Sequence, residues 1–405
     1  MSSENVNKED ETTLADPLSE VMELQMGPSH PACHGTIKFN LKLDGENIMV
    51  LDTEVGYLHR GFEKMVEQGT WGQAIPYTDR LNYASPLINN FIFCETVERL
   101  CGITVPERAS YLRVILSECS RIADHLTCLG MGATELGAFS AGFYMNEARE
   151  LLYNLNSCVT GARVTVSYGR VGGLARDVPE DFERMVRDAM KRTDEVLGDA
   201  EKLLERNRIF TDRMVGIGIM SQETAKSFGI TGPMLRATGI AYDLRKAAPY
   251  MVYDRLDFDV PVGTKGDNFD RFAVRFEEVK QSMRIIDQAL KQLPGGPIIV
   301  DNPLYVLPDK KDVYTNIEGL MNHFKIVIEG IRVPAGEIYF AGEGANGELG
   351  FYIVSDGSGR PYRVRVRPPC FYGMASLESM AKGHMVSDLV AIFGMVNMIG
   401  GECDR

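Results

Sequence analysis

No two of the eight cysteines (Cys33, Cys94, Cys101, Cys119, Cys128, Cys158, Cys370 and Cys403) are spaced as C-x-x-C. A zinc ribbon or iron–sulfur cluster needs tighter groupings, and disulfides are disfavoured in a reducing compartment. Most are therefore expected to be small buried hydrophobes. Positive charge is scarce as well: 43 Lys plus Arg face 56 Asp plus Glu, a formal net charge of −13. That balance sets nucleic acid aside, because phosphate binding depends on clustered cations. No stretch reaches the roughly 18 uninterrupted apolar residues of a spanning helix; the nearest approach, residues 389–400, is broken by Asn397. The N-terminus, MSSENVNKEDETT, lacks the basic and apolar regions of a signal peptide, so the chain is expected to stay where it is made. No G-x-S-x-G or Walker loop occurs, and no G-x-G-x-x-G after a strand is expected. Nicotinamide or flavin binding by this chain is not expected.

Apolar residues make up 44% and charged ones 24%, ordinary for a globular protein, and 405 residues fit two or three domains. Residues 1–20 hold too few apolar groups to offset the entropy of ordering and are expected to be a mobile acidic tail. Residues 21–75 read as a small antiparallel β region. Ile37, Phe39, Leu41 and Leu43 alternate with Lys38, Asn40 and Lys42, and Asp44-Gly45 signals a hairpin. Residues 76–300 read as a helical bundle with three long helices. The first carries Leu112, Ile115, Cys119, Ile122 and Leu126 after Pro106; the second, over 180–207, carries Phe182, Met185, Ala189, Val196 and Leu203. The third, over 272–293, carries Phe276, Val279, Met283, Ile286 and Leu290 and stops at PGGP. Residues 301–405 are mixed, with short strands at 337–340, 349–354 and 362–367, a hairpin at Asp356-Gly-Ser-Gly359, and helix over 374–399. The expected fold class is α+β, mainly α: a long-helix bundle flanked by a small N-terminal antiparallel sheet and a mixed C-terminal α/β segment.

Four segments could carry chemistry. Gly27-Pro-Ser-His30-Pro-Ala-Cys33-His34-Gly35 places two histidines and a cysteine close together, which invites a metal reading. No second ligand cluster supports it; the plainer reading is that one histidine caps a turn and at most the other is functional. A proton-donating role suits that one better than a metal, though this loop alone does not establish it. In Tyr77-Thr-Asp79-Arg80-Leu-Asn82-Tyr83, a helix would place Asp79 and Tyr83 on one face, and Pro86 would end or kink it. Tyr83 is then either a hydrogen-bond donor to a carbonyl or a core tyrosine with its hydroxyl satisfied. Gly56-Tyr-Leu-His59-Arg60-Gly61 lets the backbone approach a bulky group, with Arg60 either near a partner's cofactor or in a surface ion pair. Glu135, among small and apolar residues, is either a buried carboxylate needing a cationic partner or a solvated helix-face glutamate.

Taken together, GPSHPACHG, GYLHRGFEK, PYTDRLNY, ITGPMLRATG, YDRLDFDVPVGTKGDNFDR, SDGSGRPYR, KGHMVSDLVAIFG and the terminal GECDR resemble one family, over about residues 22–405. It is the quinone-site subunit of respiratory complex I (the D-type, 49 kDa-type subunit of NADH:quinone oxidoreductase), itself similar to the large subunit of nickel–iron hydrogenases. The resemblance implies a hydrogenase-large-subunit-like fold. The two C-x-x-C pairs that hold a nickel–iron site are missing, so a metal-free pocket accepting a quinone headgroup is implied. It places His34 and Tyr83 at the two quinone carbonyls and Arg60 near the terminal 4Fe-4S cluster of the adjacent iron–sulfur small subunit. Glu135 stands where many relatives carry an aspartate paired with the loop histidine, Asn82 where an aspartate is frequent, and Thr165 where some carry a histidine near the cluster.

The implied reaction takes two electrons from the partner's cluster and two protons from this chain. His34, kept protonated by Glu135, donates to one carbonyl and Tyr83 to the other; loss of the imidazolium proton frees Glu135 to move. The implied partners are the small subunit, the other peripheral-arm subunits and the quinone-channel membrane subunit, at the cytoplasmic face of a bacterial inner membrane. Other readings are a non-catalytic scaffold subunit and the equivalent subunit of a ferredoxin- or coenzyme F420-linked dehydrogenase. Hydrogen activation is disfavoured by the missing cysteine pairs.

Overall fold

Period-two alternation buries one side chain in two against a single face, and residues 37–43 follow it: Ile37, Phe39, Leu41 and Leu43 are buried between more exposed polar neighbours. The computed structural model describes residues 21–405, so the expected tail at 1–20 lies outside the described residues. Strands β1 (Val21–Met26), β2 (Lys38–Asp44) and β3 (Asn47–Glu54) form an antiparallel sheet in that order, with Leu41 opposite both Leu24 and Leu51. The H-P-x-x-H-G loop joins β1 to β2.

Five long helices follow: α1 (Pro86–Cys101), α2 (Glu107–Glu135), α3 (Phe139–Thr160), α4 (Phe182–Glu205) and α5 (Asn268–Gln292). The sequence predicts an α2 with one apolar stripe. Instead α2 is buried almost all round, packed against α1, α3, α5 and a C-terminal helix, α6 (Val386–Val396). Its polar side chains are tolerated inside because they are paired. Glu118 accepts from Arg121 (3.2 Å), Arg245 (3.0 Å), Tyr253 (2.6 Å) and Ser282 (2.7 Å). Next to it, Glu278 accepts from His125 (2.9 Å) and Arg236 (2.7 Å). A buried charge survives only with such compensation.

The stripe on α4 runs through Phe182, Val186, Ala189, Val196 and Leu204, all buried, whereas Leu203 is 47% exposed. A helix of 3.6 residues per turn brings position 204 onto that line and turns 203 away. Helix α5 begins at Asn268, earlier than predicted, because Asp267 accepts from the Asp270 N–H and caps it. The predicted helix over 374–399 is broken into Pro369–Ala375, Leu377–Ala381 and α6, with Gly383 at φ 83° making one break.

A second antiparallel sheet, β4 (Gly336–Gly344), β5 (Gly347–Ser355) and β6 (Arg363–Arg367), packs on α1. Gly342-Glu-Gly344-Ala-Asn-Gly347 does have G-x-G-x-x-G spacing, but it closes the β4–β5 hairpin and leads into no helix. The nucleotide fingerprint requires a strand–turn–helix, so this spacing carries none. A mainly helical protein with small antiparallel sheets is what the sequence predicts. Among the described residues no helix is long and apolar enough to cross a membrane. The apolar interior has two parts, the bundle and the N-terminal sheet with its C-terminal helices. Helix α6 serves both, burying Met395 in the first and Phe393 in the second. The candidate site lies at this seam.

Candidate functional site

In the H-P-x-x-H-G loop the two histidines divide the labour. His30 caps a single 3₁₀ turn, Pro31–Cys33, its Nδ1 accepting from the Ala32 N–H at 3.2 Å. Pro31 suits the first turn position because its missing N–H would have no partner there. Cys33 is buried, and burial, followed by the nearby Glu135 charge, pushes its thiol up to about 11, so it stays a protonated anchor. His34 closes the turn in the left-handed region at φ 54°, ψ 18°.

The His34 ring lies edge-on to Phe393 at 6.1 Å, and its Nε2 lies 2.8 Å from Oε1 of Glu135, at the C-terminal end of α2. His34 is 39% exposed and Glu135 10%. When the imidazole is protonated this is a charge-assisted bond, and when it is neutral Nε2–H still donates to the carboxylate. The longer side chain that Glu135 has over an aspartate does not break the pair. Its second oxygen, Oε2, is buried with no hydrogen-bond partner, a group able to accept from a donor that arrives later.

Tyr83 stands on an irregular turn, not on a helix. The preceding helix, Trp71–Thr78, ends before Asp79, and Pro86 opens α1 where the sequence predicts that it ends one. The residue before a proline is kept out of the α region, so the helix cannot run through Ser85 into Pro86. Asp79 and Tyr83 therefore share no helical face. Asn82 fixes the turn: its Oδ1 accepts from the N–H groups of Ala84 (3.0 Å) and Ser85 (3.1 Å). Its Nδ2 donates to Asp124 Oδ2 at 2.9 Å, and Asn397 donates to Asp124 Oδ1 at 2.9 Å. An aspartate at 82 could not donate to Asp124 unless protonated. Burial raises the pKa of the Tyr83 phenol, partly opposed by the Gly400 backbone, so the group stays a donor.

His34, Tyr83 and Glu135 line one cavity of about 210 Å³. Its walls are largely apolar, with Met131, Val164 and Phe393 among them. Thr165, next to Val164, adopts φ 54°, uncommon for a β-branched residue. Arg149, Gly394 and Asn397 also face the cavity, and the sequence singles out none of the three. An arginine between glutamates reads as surface, and a glycine in an apolar run reads as helix interior. Only the juxtaposition reveals them.

Arg60 is not in this cavity. It is exposed and lines a small cleft with Arg80 and Arg405. The C-terminal Gly-Glu-Cys-Asp-Arg segment holds its loop: Asp404 accepts from the N–H groups of Gly56 (2.8 Å) and Leu58 (2.6 Å), and its carbonyl faces His59 Nδ1. Beneath, burial pushes Asp79 up to about 6 against the opposing fields of Arg80 and Arg60. Among the described residues no His, Cys, Asp and Glu side chains gather in a group able to hold a metal.

A chain with this cavity has named relatives. A protein of Sorangium cellulosum, named as a D-type subunit of NADH-quinone oxidoreductase, is 56% identical over 403 residues, 99% of this chain and 100% of that relative. The D-type NADH-quinone oxidoreductase protein of Myxococcus xanthus is 53% identical, covering 95% of this chain and 92% of that relative. A Bdellovibrio bacteriovorus protein, named as a C/D-type subunit of the same oxidoreductase, is 51% identical over 95% of this chain but only 69% of its own length. Residues 135–405 match the family described as "Respiratory-chain NADH dehydrogenase, 49 Kd subunit". With that match spanning more than half of its length, the chain belongs to the 49 Kd subunit family of the respiratory-chain NADH dehydrogenase.

Proposed function

We propose that this chain forms the quinone-reducing site of an NADH:quinone oxidoreductase and works only within that complex. The observation that carries the reading is the meeting of Tyr83 with the His34–Glu135 pair in one largely apolar cavity. An aromatic diketone suits such a space: its ring packs on apolar walls while two separated donors address its two carbonyls. The reaction adds two electrons and two protons to the quinone, giving the quinol. Electrons reach the headgroup from a 4Fe-4S cluster in the adjacent small subunit, on the side marked by Arg60. The chain positions the headgroup and supplies protons. His34 gives its Nε2 proton to one oxygen and Tyr83 its phenolic proton to the other. Glu135 stabilises the imidazolium beforehand and is released when that charge is lost, the candidate first step of coupling to a membrane arm.

The same reading gives the chain a hydrogenase-large-subunit-like fold whose thiolate anchors have gone. It seats the chain peripherally on the cytoplasmic face of a bacterial inner membrane, beside the small subunit and a quinone-channel membrane subunit. The fused C/D-type relative supports a C-type neighbour as well. A quinone bearing a photoreactive group on its ring tests the proposal. Irradiated in the intact complex, it should label the peptides that carry Tyr83 or residues 393–399. Label found wholly on other subunits would leave this chain a scaffold.

A further inference from the structure

Arg149 reaches the cavity from α3 with no carboxylate within ion-pair distance among the described residues. The acids beside it in sequence are engaged elsewhere: Glu147 with Arg192 at 2.9 Å, and Glu150 with Arg163. What holds Arg149 is neutral. Its Nη1 donates to Thr127 Oγ1 at 3.1 Å, that hydroxyl donates to the Ala123 carbonyl at 2.7 Å, and the guanidinium lies 5.2 Å from the centre of the Tyr153 ring. Its Nε is buried with no partner. An unpaired guanidinium beside an apolar cavity is costly unless something anionic occupies that cavity for part of the cycle.

Among the described residues no other ionisable group facing the space makes an ion pair with Arg149. Glu135 already has His34 on Oε1. Tyr83 and Tyr153 are held neutral by burial, which also pushes the Cys128 thiol up to about 11. Asp124 lies behind Asn397, which donates to it. Apart from Oε2 of Glu135, which has no partner, no negatively charged group among the described residues faces the space.

We propose that Arg149 is a further residue of the reducing site, its guanidinium stabilising the negative charge that electrons bring to the headgroup before protons follow. This rests on the quinone reading of the cavity. The first electron, supplied by the complex's own NADH-driven chain, leaves the neutral headgroup with one negative charge; a second electron and the protons of His34 and Tyr83 complete the quinol. A donor aimed at developing charge acts on the reduced state more than on the bound quinone. It therefore affects kcat more than KM. Its importance grows with pH, because a guanidinium keeps its charge where an imidazole loses it.

The test uses the intact complex carrying Arg149→Gln, Arg149→Lys or Arg149→His, with Tyr83→Phe alongside. NADH-driven quinone turnover is followed from about pH 6 to 9. Arg149→Gln is expected to lower kcat roughly tenfold or more with little change in KM, and by a larger factor at pH 9 than at pH 6. Arg149→Lys should keep most of the turnover across the range, whereas Arg149→His should approach it at pH 6 and fall away by pH 9. Should the glutamine variant not assemble, the lysine–histidine contrast decides alone. Superimposable pH profiles for lysine and histidine, or a loss confined to KM, would overturn the role of the charge. Failure of the underlying reading looks different: Tyr83→Phe would then also turn over quinone normally.

Discussion

A Cβ built on Gly394 would stand 2.6 Å from Oε2 of Glu135, so the bare backbone of α6 is what gives the longer carboxylate its place beside His34. An atom cannot be accommodated that close, and the obstacle is the end of the Glu135 side chain itself. Gly394→Ala is expected to displace Glu135, weaken the pair and lower quinone turnover several-fold. Glu135→Asp, a methylene shorter, should recover part of the loss in the double variant. Turnover of the two single variants and the double one measures this coupling; strictly additive losses would show that the two residues do not share the space.

Glu118 concerns stability. Burial alone would raise its pKa, but Arg121 and Arg245 outweigh it and hold the carboxyl down to about 2. A carboxyl lowered in the folded state stabilises it above the unfolded value of about 4.3 and loses that contribution as pH falls through the folded value. Glu118→Gln, which leaves the buried Arg121 without its carboxylate and Arg245 with Asp243 alone, should cost about 3–5 kcal/mol at neutral pH. Its thermal unfolding midpoint in the assembled peripheral arm should lie well below the parent's at pH 7. The gap should narrow below about pH 4 and nearly close toward pH 2.

Glu402 has the opposite sign. Burial pushes it up to about 7, with Asp124 adding to the rise and hydrogen bonding to Cys370 opposing it. A raised carboxyl disfavours the folded state progressively as pH climbs from about 4.3 through about 7 and levels off beyond. Glu402→Gln removes that penalty. The parent should therefore lose stability relative to the variant over that window, and an isotope-edited infrared titration of the parent should show a protonated carboxyl band fading near pH 7. Equal pH dependence in both proteins would count against a neutral Glu402.

Local features are legible in the sequence where the chemistry is local. The alternation at Ile37–Leu43 announces β2, and Asp44-Gly45 its hairpin to β3. The loop histidines read as one cap and at most one functional residue, and His30 does cap the turn. The His34–Glu135 pair spans 101 residues of chain and no spacing rule reaches it; only the resemblance points there. The polar residues of α2 carry no mark of burial in the sequence, because burial of Glu118 depends on Arg245 and Ser282, which arrive from distant segments. Arg149 and Gly394 are silent for the same reason. The sequence leaves a helix through Tyr83 open because Asn82, which ties the turn to Asp124, gives no signal of its own.

The phenol of Tyr83 offers the sharpest test, since its removal leaves the ring and its packing in place. Tyr83→Phe in the intact complex should leave cluster reduction by NADH unchanged while quinone turnover falls at least about tenfold, within the range general acid catalysis contributes. Quinone turnover equal to the parent's, with the complex fully assembled, would contradict a proton-donating Tyr83 and with it the site built around the His34–Glu135 pair.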